Sequence, residues 1–272
     1  SIILTISISI VALIALGNYI LTNLKAIGFI IEGATGGEVS FVNSIIILAL
    51  IMVVYETLGG MRSVAWTDMI QGVLLLLGVF LFFIIIWAQY GGLSAISNTL
   101  QEHRSDFWMP PDWNSKRIWF STILVVAIGV SVYPHAIQRI YAAKSAIALR
   151  RSFQLMIFMP FFTTLFMIIV GIVGASQFQG LNRIESEQIS IILLTDLAQS
   201  DPAVNWLLII FISAAIAAIM STVDSALLAI SSIATQDIYY KINPKVSQKH
   251  LLLIGKSISW FIMFGAVVMA IK

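Results

Sequence analysis

The chain has 272 residues, of which 59% are hydrophobic and 10% charged, with a formal net charge of +2. A soluble domain carries about 25% charged residues, so this composition excludes an ordinary water-soluble enzyme, and +2 is too little charge to neutralise many phosphates of a nucleic acid. With no cysteine there is no disulfide framework and no thiolate metal site.

A helix crossing the hydrocarbon of a bilayer needs about 20 apolar residues. Seven stretches meet that length: Ile2–Leu21, with an apolar continuation to about Ile31, then Phe41–Leu58, Met69–Tyr90, Ile118–Tyr141, Phe153–Gln177, Ala203–Ile233 and Leu251–Ile271. Runs this long exclude a transmembrane barrel, whose strands alternate over about ten residues. The first stretch is too long for a signal peptide and lacks a basic start. The linkers after spans two, four and six hold Arg62, Arg139, Lys144, Arg150, Arg151, Lys241, Lys245 and Lys249. The opposite linkers are rich in acids, among them Glu38, Asp112 and Glu187. The positive-inside rule therefore predicts a cytoplasmic start and an external end. Gly91–Arg117 reads as an external loop whose Trp108 and Trp113 suit a headgroup region. Ile189–Gln199 reads as a short interfacial helix. Neither a phosphate-binding glycine loop nor a dinucleotide fingerprint is present, and the three histidines are scattered.

Three stretches carry chemistry. In Tyr55–Gln71 the pair Gly59-Gly60 ends one span, and Asp68 stands at the entrance of the next. Asp68 reads either as a helix N-cap or as a functional carboxylate. In Ala214–Leu228, small residues recur at helical spacing, a pattern that also serves close helix packing. Asp224 argues against packing alone, because a carboxylate inside an apolar span is expensive and marks an ion pathway or a paired site. Ser221, Asp224 and Ser225 fall within about one turn and gather the oxygens that hard cations favour. In Gly129–Lys144, Pro134 cannot donate a helical hydrogen bond and disfavours helix at Tyr133. The span is predicted to break between about Gly129 and Pro134, or at the least to kink there. Arg139 and Lys144 read as cytoplasmic anchors, and His135 as a packing residue or a ligand.

The blocks Gly-Gly-Met-Arg…Trp-Thr-Asp…Gln, Gln-Arg…Ala-Ala-Lys-Ser and Met-Ser-Thr…Asp-Ser…Leu, in that order and over nearly the whole chain, resemble the sodium/solute symporter family. The resemblance implies an all-α transmembrane, LeuT-type inverted-repeat fold, here incomplete, with about seven spans resembling core helices three to nine. Residues 1–272 would form one transporter domain, with core helices one and two before Ser1 and a tenth after Lys272. The family's main sodium site lies between core helices one and eight. Its helix-eight half falls on the Ala218 carbonyl and the Ser221 and Thr222 hydroxyls. Asp68 matches the core-helix-five aspartate linked to sodium release and, in some members, to a second sodium site. Ser221, Asp224 and Ser225 match the helix-eight side of that second site, although some members have Ser at position 224. Tyr133 and His135 fall where substrate contacts occur. Tyr133-Pro134-His135 is closer to the proline and monocarboxylate branches than to the sugar branch, so an organic acid or amino acid is favoured.

The implied activity is symport of a small-molecule solute with sodium as coupling ion, by alternating access across the lipid bilayer of a plasma membrane (the inner membrane if bacterial). It involves no organic cofactor, no nucleic acid and no enzymatic step. The alternative is a transporter-like sensor domain joined to a histidine kinase.

Overall fold

A computed structural model describes residues 2–103, 109–182, 185–186, 188–200 and 204–272. The sequence-predicted features at Arg104–Trp108, Glu187 and Ala203 lie outside the described residues.

Among the described residues the long elements are all helices: α1 (Ile2–Ala34), α2 (Phe41–Tyr90), α3 (Gly92–His103), α4 (Trp113–Val130), α5 (Pro134–Tyr141), α6 (Ala146–Gln177), α7 (Ile189–Ser200), α8 (Val204–Ser232) and α9 (Gln248–Ile271). After α8 the helix widens into a π-helical segment, Ile233–Tyr239, where the Tyr240 N–H reaches back to the Thr235 carbonyl. Among the described residues, six helical stretches are long and apolar enough to cross a membrane. They account for all seven apolar runs of the sequence, because α2 carries two of them. At 50 residues and about 1.5 Å per residue, α2 measures roughly 75 Å, more than twice the thickness of bilayer hydrocarbon. Its division falls at Gly60, whose φ of 54° and ψ of −147° only glycine adopts readily.

Span four is interrupted as the sequence predicts. Helix α4 ends at Val130 in a tight turn closed by Val132 N–H to Gly129 O at 3.0 Å, and helix resumes at Pro134, where a missing N–H costs nothing. Helix α7 occupies the predicted interfacial segment. One expectation needs correction. The Gly91–Arg117 stretch, read as a loop, contains helix α3. Gly91 and Gly92, at φ 75° and 82°, turn the chain, and Ile96 and Leu100 then fall on one buried face.

Internal contacts divide the chain into two compact units, and the division runs through α2, α5 and α8. The first comprises Ser1–Val73, Pro134–Arg139 and Ala215–Lys272. Its core is built from the α1 stripe Leu16, Ile20, Leu24 and Ile27, the α2 residues Ile45, Met52 and Val53, and Val223, Leu227 and Ile230 of α8, with Met263 and Ala266 of α9. The second comprises Leu74–Tyr133 and Ile140–Ala214. There Phe82 and Ile86 of α2 meet Ile96, Val170, Val173, Leu193, Leu194 and Phe211, with the Phe82 and Phe211 rings 4.7 Å apart. Helix α4 has no buried residue and exposes Trp119, Phe120, Val125 and Ile128, an arrangement that belongs in hydrocarbon rather than water.

Candidate functional site

The first unit gathers most of the polar side chains singled out from the sequence. Around α8, Ser221 and Ser225 stand one turn apart on one face, because residues four apart on a helix lie one above the other. The Ser221 hydroxyl donates to Asp68 Oδ1. The Arg139 guanidinium donates through one nitrogen to both Asp68 Oδ2 and the Ser225 hydroxyl. The Ser225 hydroxyl in turn donates to the Ser221 carbonyl at 2.8 Å. Three segments distant in sequence (α2, α5 and α8) therefore close on one carboxylate.

This geometry corrects two sequence readings. Asp68 is not an N-cap: it lies inside α2, where helix runs on either side of it. Arg139 is more than a cytoplasmic anchor, since it is the ion-pair partner of Asp68. The Asp68 side chain is 15% exposed and that of Arg139 46%, so the pair is screened from the Arg139 side only.

Asp224 faces elsewhere. It is fully buried, and its Oδ2 accepts from the Tyr55 hydroxyl of α2, so the turn holding Ser221, Asp224 and Ser225 sends its oxygens in two directions. Thr222 donates to the Ala218 carbonyl at 3.0 Å. A hydroxyl that gives away its proton keeps both lone pairs. The donated bonds of Ser221 and Thr222 thus leave their oxygens able to coordinate a cation, whereas the Ala218 carbonyl, inside α8, already accepts the Thr222 hydroxyl besides its helical bond. His135 lies in the same unit, its ring nearly parallel to that of Tyr19 with centroids 6.3 Å apart. Tyr133, 43% exposed, belongs to the second unit.

Sequence reasoning passed over Tyr55 and Glu56. Glu56 is 4% exposed, and its Oε1 accepts from the Ser259 hydroxyl of α9 at 3.2 Å. The signal was present: Glu56 is an acid within the apolar stretch Phe41–Leu58, and the rule that singled out Asp224 applies to it equally. Tyr55 gave no such signal, because a tyrosine near a span end is ordinarily an interfacial anchor.

The pattern of the sodium:solute symporter family matches residues 1–272. Among curated relatives, the uncharacterized symporter YhjB of Bacillus subtilis is 25% identical over 93% of this chain and 51% of its own length. The sodium/pantothenate symporter of Haemophilus influenzae is 28% identical over 82% of this chain and 44% of its own length. The high-affinity proline transporter PutP of Bacillus subtilis is 27% identical over 89% and 52%. The chain spans about half the length of these curated relatives. A match that covers every residue, together with six helical stretches of membrane-spanning length, supports one conclusion: the chain is a multi-pass membrane protein that belongs to the sodium:solute symporter family.

Proposed function

We propose that the protein containing this chain moves a small organic solute across a membrane together with sodium, by alternating access in an inverted-repeat fold. The observation that carries the reading is the hydroxyl pair of one α8 turn, Ser221 Oγ and Thr222 Oγ1, which keep their lone pairs beside the Ala218 carbonyl within an otherwise apolar span. Sodium leaving water needs fixed oxygens in place of its hydration shell; the hydroxyls supply two, and the Ala218 carbonyl a third where the ion replaces a hydrogen bond it now accepts. Family membership supports sodium as the coupling ion. Asp68, bonded directly by Ser221 and bridged to Ser225 through Arg139, fits a second sodium position or an exit path, because a cation approaching its carboxylate competes with the guanidinium already there. The interruption at Ser131–Tyr133 supports a role for Tyr133 and His135 in substrate binding, since a helix break at membrane depth requires a protein or water-lined cavity around it. Relatives named for proline and pantothenate, both carboxylate-bearing solutes, favour an organic acid or amino acid.

The energy source is the ion: about 2.3 kcal/mol per charge per 100 mV, plus its concentration gradient. The test is uptake of labelled proline and pantothenate, and of a panel of other small organic acids and amino acids, by proteoliposomes holding the full-length transporter. An inward sodium gradient should drive accumulation of at least one solute above equilibrium. Uptake equal with sodium and with choline for every solute would refute the proposal.

A further inference from the structure

Glu56 is the single charged residue of the stretch Phe41–Leu58, and the fold buries it. Its Oε2 is buried and has no hydrogen-bond partner among the described residues. Its Oε1 lies 3.2 Å from the hydroxyl of Ser259 on α9, itself 1% exposed. That contact joins α2 to α9 inside the first unit.

The Ser259 hydroxyl has a second neighbour. Its oxygen stands 3.3 Å from the Gly255 carbonyl, one turn back along α9, which is the acceptor a serine inside a helix commonly takes. A hydroxyl has one proton to give, and an ionised carboxylate and a carbonyl are acceptors only. With Glu56 ionised, two acceptors compete for that proton, and one of the two contacts is left as oxygen facing oxygen. The charge also keeps a bare oxygen, Oε2, in an apolar interior, which is the costly arrangement for a carboxylate. One added proton resolves both. A protonated Glu56 donates from Oε1 to Ser259 Oγ, Ser259 donates to the Gly255 carbonyl, and Oε2 becomes a neutral carbonyl oxygen.

The other groups around Glu56 leave its charge unmatched. The Thr57 hydroxyl gives its proton to the Val53 carbonyl, and the Tyr55 hydroxyl gives its own to Asp224. Lys256 of α9 and Asp224 of α8 act on Glu56 through space, one as a cation and the other as a like charge. Among the described residues Glu56 has no ion-pair partner, since the ion pair of this unit joins Arg139 to Asp68.

We propose that Glu56 is a proton-binding site, with the proton on Oε1 donated to Ser259 and relayed through that hydroxyl to the Gly255 carbonyl, so that a bound proton ties α2 to α9. The proton comes from water and returns to it, and no other bond is made or broken. The site goes beyond the symport reading and is independent of which ion or solute is carried. It makes the tie sensitive to pH. The relay is complete while the proton is bound, and it weakens as rising pH removes it, because Glu56 then competes with the Gly255 carbonyl for the Ser259 proton.

The experiment is infrared spectroscopy of the full-length transporter in lipid bilayers, in the carbonyl-stretch region of protonated carboxylic acids, where an ionised carboxylate does not absorb. At neutral pH the wild type should show a band that Glu56→Gln lacks, and the band should disappear from the wild type as pH is raised. Glu56→Gln replaces the O–H donor by an N–H donor, so the contact with Ser259 is kept. Ser259→Ala keeps the acid but removes its acceptor, and should move the band. Spectra of wild type and Glu56→Gln that coincide in this region would overturn the proposal, since Glu56 would then be ionised. If Glu56→Gln fails to fold, an unmoved spectrum in Ser259→Ala overturns it equally. A band that appears only when sodium is removed would place a metal ion at Glu56 instead of a proton, and would also overturn it. The readout involves no transport, so each of these results leaves the symport reading to its own test.

Discussion

The pair formed by Arg139 and Asp68 offers a direct energetic test of the site. Arg139→Gln removes the guanidinium, and Asp68 then keeps a single charged-group hydrogen bond, from Ser221. Breaking a fully buried pair costs about 3–5 kcal/mol, whereas an exposed one contributes roughly 0.2–1 kcal/mol. The Asp68 side chain is 15% exposed and that of Arg139 46%, so the pair falls between these limits, and about 2 kcal/mol is the expected loss, near 30-fold in the unfolding equilibrium. Asp68→Asn should cost a similar amount by stranding the guanidinium of Arg139 beside Ser225. The double variant should cost little more than either single one, because the second change removes a charge already left without its partner. The assay is SDS-induced unfolding of the full-length protein followed by circular dichroism, closed as a double-mutant cycle. The predicted coupling is about 1–2 kcal/mol. A coupling below about 0.5 kcal/mol would show that the pair contributes no more than a surface contact.

Three further outcomes follow from the backbone and the loops. Gly60→Ala should destabilise the protein by about 1–3 kcal/mol, because a Cβ there meets nothing within 4 Å and the penalty is conformational; a thermal melt equal to wild type would contradict it. Asp112 caps α4 by accepting from the Ser115 N–H at 3.0 Å, and hydrogen bonds from Ser115 hold its carboxyl below the usual carboxylate range. A lowered folded-state pKa stabilises the cap above the ordinary carboxylate range and loses that effect as pH falls through the folded value. Exchange of the Ser115 amide should therefore accelerate on acidification, and Asp112→Asn should abolish that dependence. Finally, single cysteines replacing Arg62, Arg150 or Lys245 should resist an impermeant maleimide added outside, while those replacing Glu38 or Asp112 should react. Equal labelling of both sets would overturn the orientation.

Much of this architecture was legible because lipid imposes a simple rule on sequence. Apolar runs had to be helices of about 20 residues, and Gly60 and Pro134 marked breaks for backbone reasons that need no tertiary knowledge. Helix α3 was obscured, since its stripe of Ile96 and Leu100 is short and follows two glycines in an otherwise polar stretch. The site was legible only in part. Spacing along α8 identified Ser221, Asp224 and Ser225 as neighbours, but spacing on one helix carries no information about what another helix brings to them. The contacts of Arg139 with Asp68 and of Tyr55 with Asp224 join residues 71 and 169 positions apart. Such pairs depend on how α2, α5 and α8 pack, and no local pattern encodes that packing.

The central claim is that one turn of α8 coordinates the ion that drives transport. Ser221→Ala and Thr222→Ala each remove one oxygen while scarcely changing volume, and losing a ligand of this kind should weaken binding by about 1–3 kcal/mol, roughly five- to 150-fold. The direct measurement is the sodium concentration that half-saturates solute uptake by the full-length transporter. The account predicts a rise of that size in each variant, with normal amounts of protein in the membrane. Half-saturating sodium equal to wild type in both variants would show that these hydroxyls only pack helices.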